Sequence, residues 1–135
     1  MAFISWDESY SVKVAEMDGH HQKLFSLLNA LHDAMRQGKG RDVMARTIAE
    51  LGDYVNVHFA AEEALMQKAR YRGLPGHQVE HRRFAMRIAD FRKDLEAGTG
   101  GNAVAVLEFL KGWLKNHIQK LDRSYSAELN ANGIH

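Results

Sequence analysis

Cysteine is absent from the chain, and that absence excludes disulfides, cysteine-ligated zinc, iron–sulfur clusters and covalently attached c-type haem. Any metal must then be held by histidine, aspartate or glutamate. No apolar run approaches the roughly 18 residues a membrane span needs, so no membrane insertion is expected. The start of the chain, Met1 to Glu8, has neither a basic head nor an apolar stretch, which leads us to expect a cytoplasmic protein. An excess of either charge is missing too. Lys plus Arg number 18 against 17 Asp plus Glu, a balance that argues against a dedicated nucleic-acid binder.

Proline occurs once, at Pro75, so long helices can run unbroken. Glycine is the remaining punctuation, in three clusters: Gly38 and Gly40, Gly73 and Gly76, and Gly98, Gly100 and Gly101. At 135 residues the chain suits one domain, residues 1–135. The clusters divide it into an irregular N-terminal arm (1–18), helices at about 19–37, 41–68, 76–97 and 102–121, and a C-terminal tail (123–135). Short links favour antiparallel neighbours. The expected fold is therefore all-α, an up-down-up-down four-helix bundle over about residues 19–122.

Apolar residues recur at alternating steps of four and three. The first helix shows Met17, His21, Leu24, Leu28, Leu31 and Met35, and the second Met44, Ile48, Leu51, Val55, His58, Glu62 and Leu65. The third shows His77, His81, Phe84, Ile88, Phe91 and Leu95, and the fourth Ala103, Leu107, Leu110, Leu114, His117 and Leu121. This is the buried seam of helices packed at a shallow angle. Six seam positions are polar: His21, His58, Glu62, His77, His81 and His117. Each would cost about 1–3 kcal/mol if buried unpaired, against a total stability of about 5–15 kcal/mol. They need a common partner.

Depth along the bundle supplies one. His21 precedes Gly38 by 17 residues, His58 follows Gly40 by 18, His81 precedes Gly98 by 17, and His117 follows Gly101 by 16. At 1.5 Å per residue each is about 24–27 Å from its loop, and both loops lie at the same end, so all four share one level. Glu62 and His77 stand one turn away as i, i+4 partners of His58 and His81. Asp122 is five residues beyond His117, about 140° away on an ideal α-helix, and can join only if the helix ends or is distorted there. Five imidazoles and two carboxylates exceed what one tetrahedral zinc takes and suit two ions sharing carboxylate bridges; the ligand set alone leaves iron, manganese, zinc and copper open.

The series Asp18-Gly19-His20-His21-x-x-Leu24, His58-x-x-x-Glu62, His77-x-x-x-His81 and His117-x-x-x-x-Asp122 resembles the hemerythrins, specifically the single-domain bacterial members. Trp6 and Tyr10 look like the family's N-terminal arm, and the likeness spans residues 6–125. His20 departs from it, since glutamine is common there; the seam selects His21 as the ligand. The resemblance implies a non-haem di-iron centre bridged by Glu62, Asp122 and an oxo or hydroxo group. His77, His81 and His117 would saturate one iron. His21 and His58 would leave the other five-coordinate, where dioxygen binds and is held as hydroperoxide. Leu24, Phe59, Trp113 and Leu114 would line that pocket and keep it dry.

The implied function is reversible dioxygen binding without catalytic residues: a carrier, a store, or a delivery protein for an oxygen-consuming enzyme. Small anions would bind the oxidised form, and a monomer is expected. The alternatives are an oxygen, redox or iron sensor acting through a separate partner, and a di-iron oxidase-type enzyme. The latter class builds its site from Glu-x-x-His motifs, and none occurs in this chain. His20 and His32 are expected to face solvent. Arg70, Arg72, Arg82, Arg83 and Arg87 are expected to form a solvated face.

Overall fold

The computed structural model describes residues 4–97 and 103–135, without the side chains of Arg41, Asp42, Ala103, Lys120 and Leu121. The third glycine cluster and the expected seam positions Ala103 and Leu121 therefore lie outside the described side chains. Helix α1 (Ala15–Arg36) begins four residues before the expected start at about residue 19. Asp18 explains the early start. Its carboxylate accepts from Val12 N–H at 2.8 Å and from Ser11 Oγ at 2.7 Å, folding the arm onto the first turn. The helix ends in a Schellman motif: Gly38 takes a left-handed φ of +72°, and Lys39 N–H reaches the Ala34 carbonyl at 2.7 Å.

The second rod runs as α2 (Gly40–Tyr54), a π turn (Val55–Phe59) and α3 (Ala60–Lys68). Arg70, at φ +55°, closes it in the same way, with Tyr71 N–H on the Met66 carbonyl at 2.9 Å. Helix α4 (Leu74–Glu96) comes next, with Pro75 in its first turn, where the missing N–H costs nothing. Gly73 precedes it because a Cβ there would stand 2.5 Å from the Tyr71 ring. Helix α5 (Ala103–Trp113) continues through a second π segment (Leu114–Leu121) and a 3-10 turn (Asp122–Tyr125) into α6 (Ser126–Ala131). No strand occurs among the described residues, and the four rods form the expected four-helix bundle.

Two features depart from the expectations raised by the sequence, and a third refines one. The tail is helical and packed: Tyr125 and Leu129 are fully buried. The second seam shifts phase after its π turn, so Met66 is fully buried and Leu65 only partly. One extra residue in that turn rotates the remainder of the rod, and a strict four-and-three pattern does not anticipate it. The arm is irregular except for a 3-10 turn at Glu8–Tyr10. Trp6 and Tyr10 pack edge-on against Phe25, at 5.6 and 4.8 Å between ring centroids, and the Asn29 amide clamps both backbone groups of Ile4.

The core has two parts. A long cluster fills the body, from Leu24, Leu28 and Leu31 to Phe84, Leu110 and Leu114. A smaller one, of Val12, Val14, Met17, Met66, Ala69, Tyr125 and Leu129, closes one end. The polar seam residues lie between them.

Candidate metal centre

His21, His58, Glu62, His77, His81, His117 and Asp122 are all buried, none more than 4% exposed. The two carboxylates divide their oxygens between two sides. Glu62 Oε1 meets His81 Nε2 at 2.9 Å, while Asp122 Oδ1 meets Nε2 of His77 and of His117, each at 2.9 Å. The second oxygens face the other way. Glu62 Oε2 lies 3.4 Å from His58 Nε2 and 3.6 Å from His21 Nε2, and Asp122 Oδ2 lies 3.2 Å from His21 Nε2. Two sets of ligand atoms, each within 4.8 Å of one another, share Glu62 and Asp122: one adds His21 and His58, the other His77 and His117. His81 reaches the second side through Glu62 Oε1.

His77 and His81 hydrogen-bond to Asp122 and Glu62, but not every close contact here is a hydrogen bond. His21 Nε2, His117 Nε2 and Asp122 Oδ2 are buried and make no hydrogen bond. Orphaned buried polar atoms are costly, and these point into one centre. All five imidazoles present Nε2 to it, an arrangement that suits cations better than protons. Burial opposes charging of His21, yet Asp122 and Glu62 outweigh it and push its pKa up to about 9. Burial likewise disfavours the Glu62 and Asp122 carboxylates as ions, but the surrounding imidazoles hold both well below the usual carboxylate range. His58 goes the other way: its burial lowers it, more than Glu62 can restore.

Asp122 reaches the centre because of the π segment. Its N–H donates to the His117 carbonyl, five residues back. That i→i+5 bond widens the turn, so residues five apart come onto one face. The other π turn lies over His58. Both distortions carry side chains of the buried cluster, and neither was legible in the apolar pattern.

An outer layer steadies the imidazoles. Glu63 Oε2 lies 2.8 Å from His81 Nδ1, and Tyr125 donates to Glu62 Oε2 at 2.9 Å. Neither residue was singled out by the sequence pattern. The acidic doublet Glu62-Glu63 was the available signal for the first, but Tyr125 stood in what resembled a loose tail. His20 corrects another expectation. It is partly buried, with Nδ1 at 2.8 Å from His58 Nδ1, because one helical step from His21 turns it toward the neighbouring rod. His32 is also only partly exposed.

The family described as Hemerythrin HHE cation binding domain matches residues 12–129. The chain belongs to the hemerythrin family. It is 33% identical over 132 residues to the bacteriohemerythrin of Methylococcus capsulatus, covering 97% of this chain and 100% of that protein. A hemerythrin-like protein of Naegleria gruberi is 35% identical over 125 residues, covering 93% and 92%. A crystal structure of wild-type hemerythrin superposes with a TM-score of 0.86 at 32% identity, over 95% of this chain and 98% of that one.

In this hemerythrin-family bundle the four expected pocket residues are all buried: Leu24 and Leu114 fully, Phe59 and Trp113 at 6% and 8% exposure. Two of them stack on imidazoles. Phe59 lies 3.8 Å from the His81 ring at 2°, and Trp113 lies 3.7 Å from the His117 ring at 11°. Both rings therefore brace the side with three histidines. Leu24 stands three residues after His21, on the other side. Arg70, Arg72, Arg82, Arg83 and Arg87 lie on the surface, with Arg83 paired to Glu80. No helix among the described residues is long and apolar enough to cross a membrane.

Proposed function

We propose that the chain binds dioxygen reversibly at a pair of irons held by His77, His81 and His117 on one side and by His21 and His58 on the other. Glu62 and Asp122, which belong to both sets of ligand atoms, would be shared between the two ions. The observation that carries this reading is the division of carboxylate oxygens, Oε1 and Oδ1 toward three imidazoles and Oε2 and Oδ2 toward two. Membership of the hemerythrin family supports iron among the metals that imidazole and carboxylate accept. When bound, two ferrous ions supply the two electrons that reversible capture of dioxygen requires.

The protein's own groups define where that capture takes place. Three imidazoles would hold the ion on one side and only two the ion on the other, so a small ligand would be taken up on the His21–His58 side. Leu24 and Leu114, with Phe59 and Trp113 beyond, exclude water and anions that would promote oxidation. A site rich in neutral imidazole and poor in carboxylate favours binding over oxidative turnover, so no catalytic role is assigned.

The test is metal analysis with an oxygen titration. Purified protein should hold two irons per chain, and the diferrous form should take up one dioxygen per pair, gain a charge-transfer colour, and bleach when oxygen is withdrawn. One zinc per chain would overturn the two-metal reading. Substrate-dependent turnover, or oxidation with no reversible oxygenated state, would favour a di-iron oxidase instead.

A further inference from the structure

Tyr54 has a hydroxyl that nothing in the fold uses. The residue is 4% exposed, and its oxygen is buried without any hydrogen-bond partner. It stands four residues before His58 in a rod running toward the metal end, so it lies one turn into the body of the bundle. Leu24, three after His21 in a rod running away, and Leu114, three before His117, lie at that same depth. The Tyr54 ring stacks on the His58 imidazole at 4.8 Å and 19°, and its centroid is 6.2 Å from Phe59 and 6.5 Å from Phe84. Phenylalanine would pack the same ring without the penalty of an unpaired buried oxygen.

Resting on the proposed function above, we infer that Tyr54 is a ligand-binding residue: its hydroxyl donates a hydrogen bond to the small molecule, dioxygen or an anion such as azide, taken up on the His21–His58 side. Three observations favour this role. The ring is tied to His58, one of the two imidazoles of that side. The hydroxyl is an ordinary phenolic donor, buried and unpartnered at the depth of Leu24 and Leu114. Other polar groups nearby are engaged or face elsewhere. The Tyr125 hydroxyl is spent on Glu62, His20 faces the outer nitrogen of His58, and Trp113, whose N–H is also unpartnered, lies over His117 on the three-histidine side. The lining proposed for that side is thus apolar with one donor, a combination that would hold a small polarised ligand while admitting little water.

The test compares the native protein with Tyr54→Phe in the oxidised, iron-loaded state, using azide as the probe, together with melting of the metal-free forms. Azide carries no exchangeable proton, so a shift of its stretching band between H2O and D2O reports a donor from the surroundings. We expect a shift in the native protein that is lost in the variant, and azide affinity lowered roughly tenfold by loss of one buried hydrogen bond. The metal-free variant should melt no lower than the native metal-free protein, since it loses an unpaired hydroxyl. Equal azide affinity and an unchanged isotope shift in the two proteins would overturn the inference. So would a lower melting point of the metal-free variant with unchanged azide affinity, which would make Tyr54 a packing residue. If the native protein bound no azide at all, the di-iron reading would fail first, and this inference with it.

Discussion

Adjacent histidines at 20 and 21 meet different partners. The first touches the outer nitrogen of His58, while the second faces Glu62 and Asp122. Replacing His21 with Ala should remove a ligand and drop the metal content toward one ion per chain. Replacing His20 with Ala should leave two ions bound, with affinity on the two-histidine side weakened roughly tenfold, the usual cost of losing a group that orients a ligand from behind. Metal-to-protein ratios and competition with a chelator separate the two outcomes. Equal metal loss from both variants would show that the chain neighbours share one role. Leu114 makes no polar contact, so Leu114→Ala should keep both irons and oxidise faster, read as the decay of the oxygenated spectrum.

Among the elements, the C-terminal 3-10 turn and helix α6 together carry more than their length suggests. Tyr125 and Leu129 close the metal end together with Val12, Val14, Met17 and Met66. Ser126 Oγ donates to the Val12 carbonyl at 2.6 Å, and Asn130 Nδ2 to the Lys13 carbonyl at 3.0 Å, so α6 also pins the arm. Truncation after Ser124 would remove one large aromatic and one leucine from the core, about 1.5–3 kcal/mol each. Thermal melts should show a loss of roughly 10 °C, and metal should leave faster because the cover over Glu62 is gone. A truncated chain with native melting and native metal retention would show that α6 is dispensable. The π segments belong to this scale too. Among the described residues they are where a rod widens beyond α-helical spacing, and each carries a clustered imidazole: His58 in one, His117 in the other.

For the molecule as a whole, stability and metal are linked, because ions that bind only the folded state stabilise it by mass action. Removing them leaves the seven polar groups to satisfy one another, and the metal-free protein should melt lower than the loaded one. Its pH dependence comes from the shifted groups. His21 is raised from 6.5 to about 9, so its stabilisation is complete below about pH 6.5 and is lost as the pH climbs through 9. Glu62 and Asp122 are depressed, so their stabilisation is present above the usual carboxylate range, near about pH 4, and is lost as the pH falls below it. The metal-free protein should therefore be most stable near about pH 6.5, weaken toward pH 9, and weaken in acid, where the depressed His58 acts before the carboxylates do. In the loaded protein a cation replaces the proton on His21, and the decline between about pH 6.5 and 9 should vanish. Melting curves of both forms across that window check the point.

The chain by itself determined the four rods, their seams and six of the seven clustered side chains. These rest on local rules: the 3.6-residue period sets which face is buried, glycines and Pro75 mark the links between helices, and a histidine at a leucine position cannot be there for hydrophobic packing. Asp122 was visible only as a residue out of phase, because a π turn is a response to packing and ligand geometry and leaves no periodic trace. Only the tertiary structure decided which carboxylate oxygen faces which imidazole. It likewise placed His20 against His58 and turned the tail into a cover carrying Tyr125. Those outcomes depend on helix rotation and on distances between chain-remote atoms, where a shift of about one ångström makes or breaks a contact, and a repeat pattern specifies neither. The orphaned hydroxyl of Tyr54 belongs with them: in the sequence it reads as one more aromatic beside a seam, and only packing shows that its oxygen has no partner.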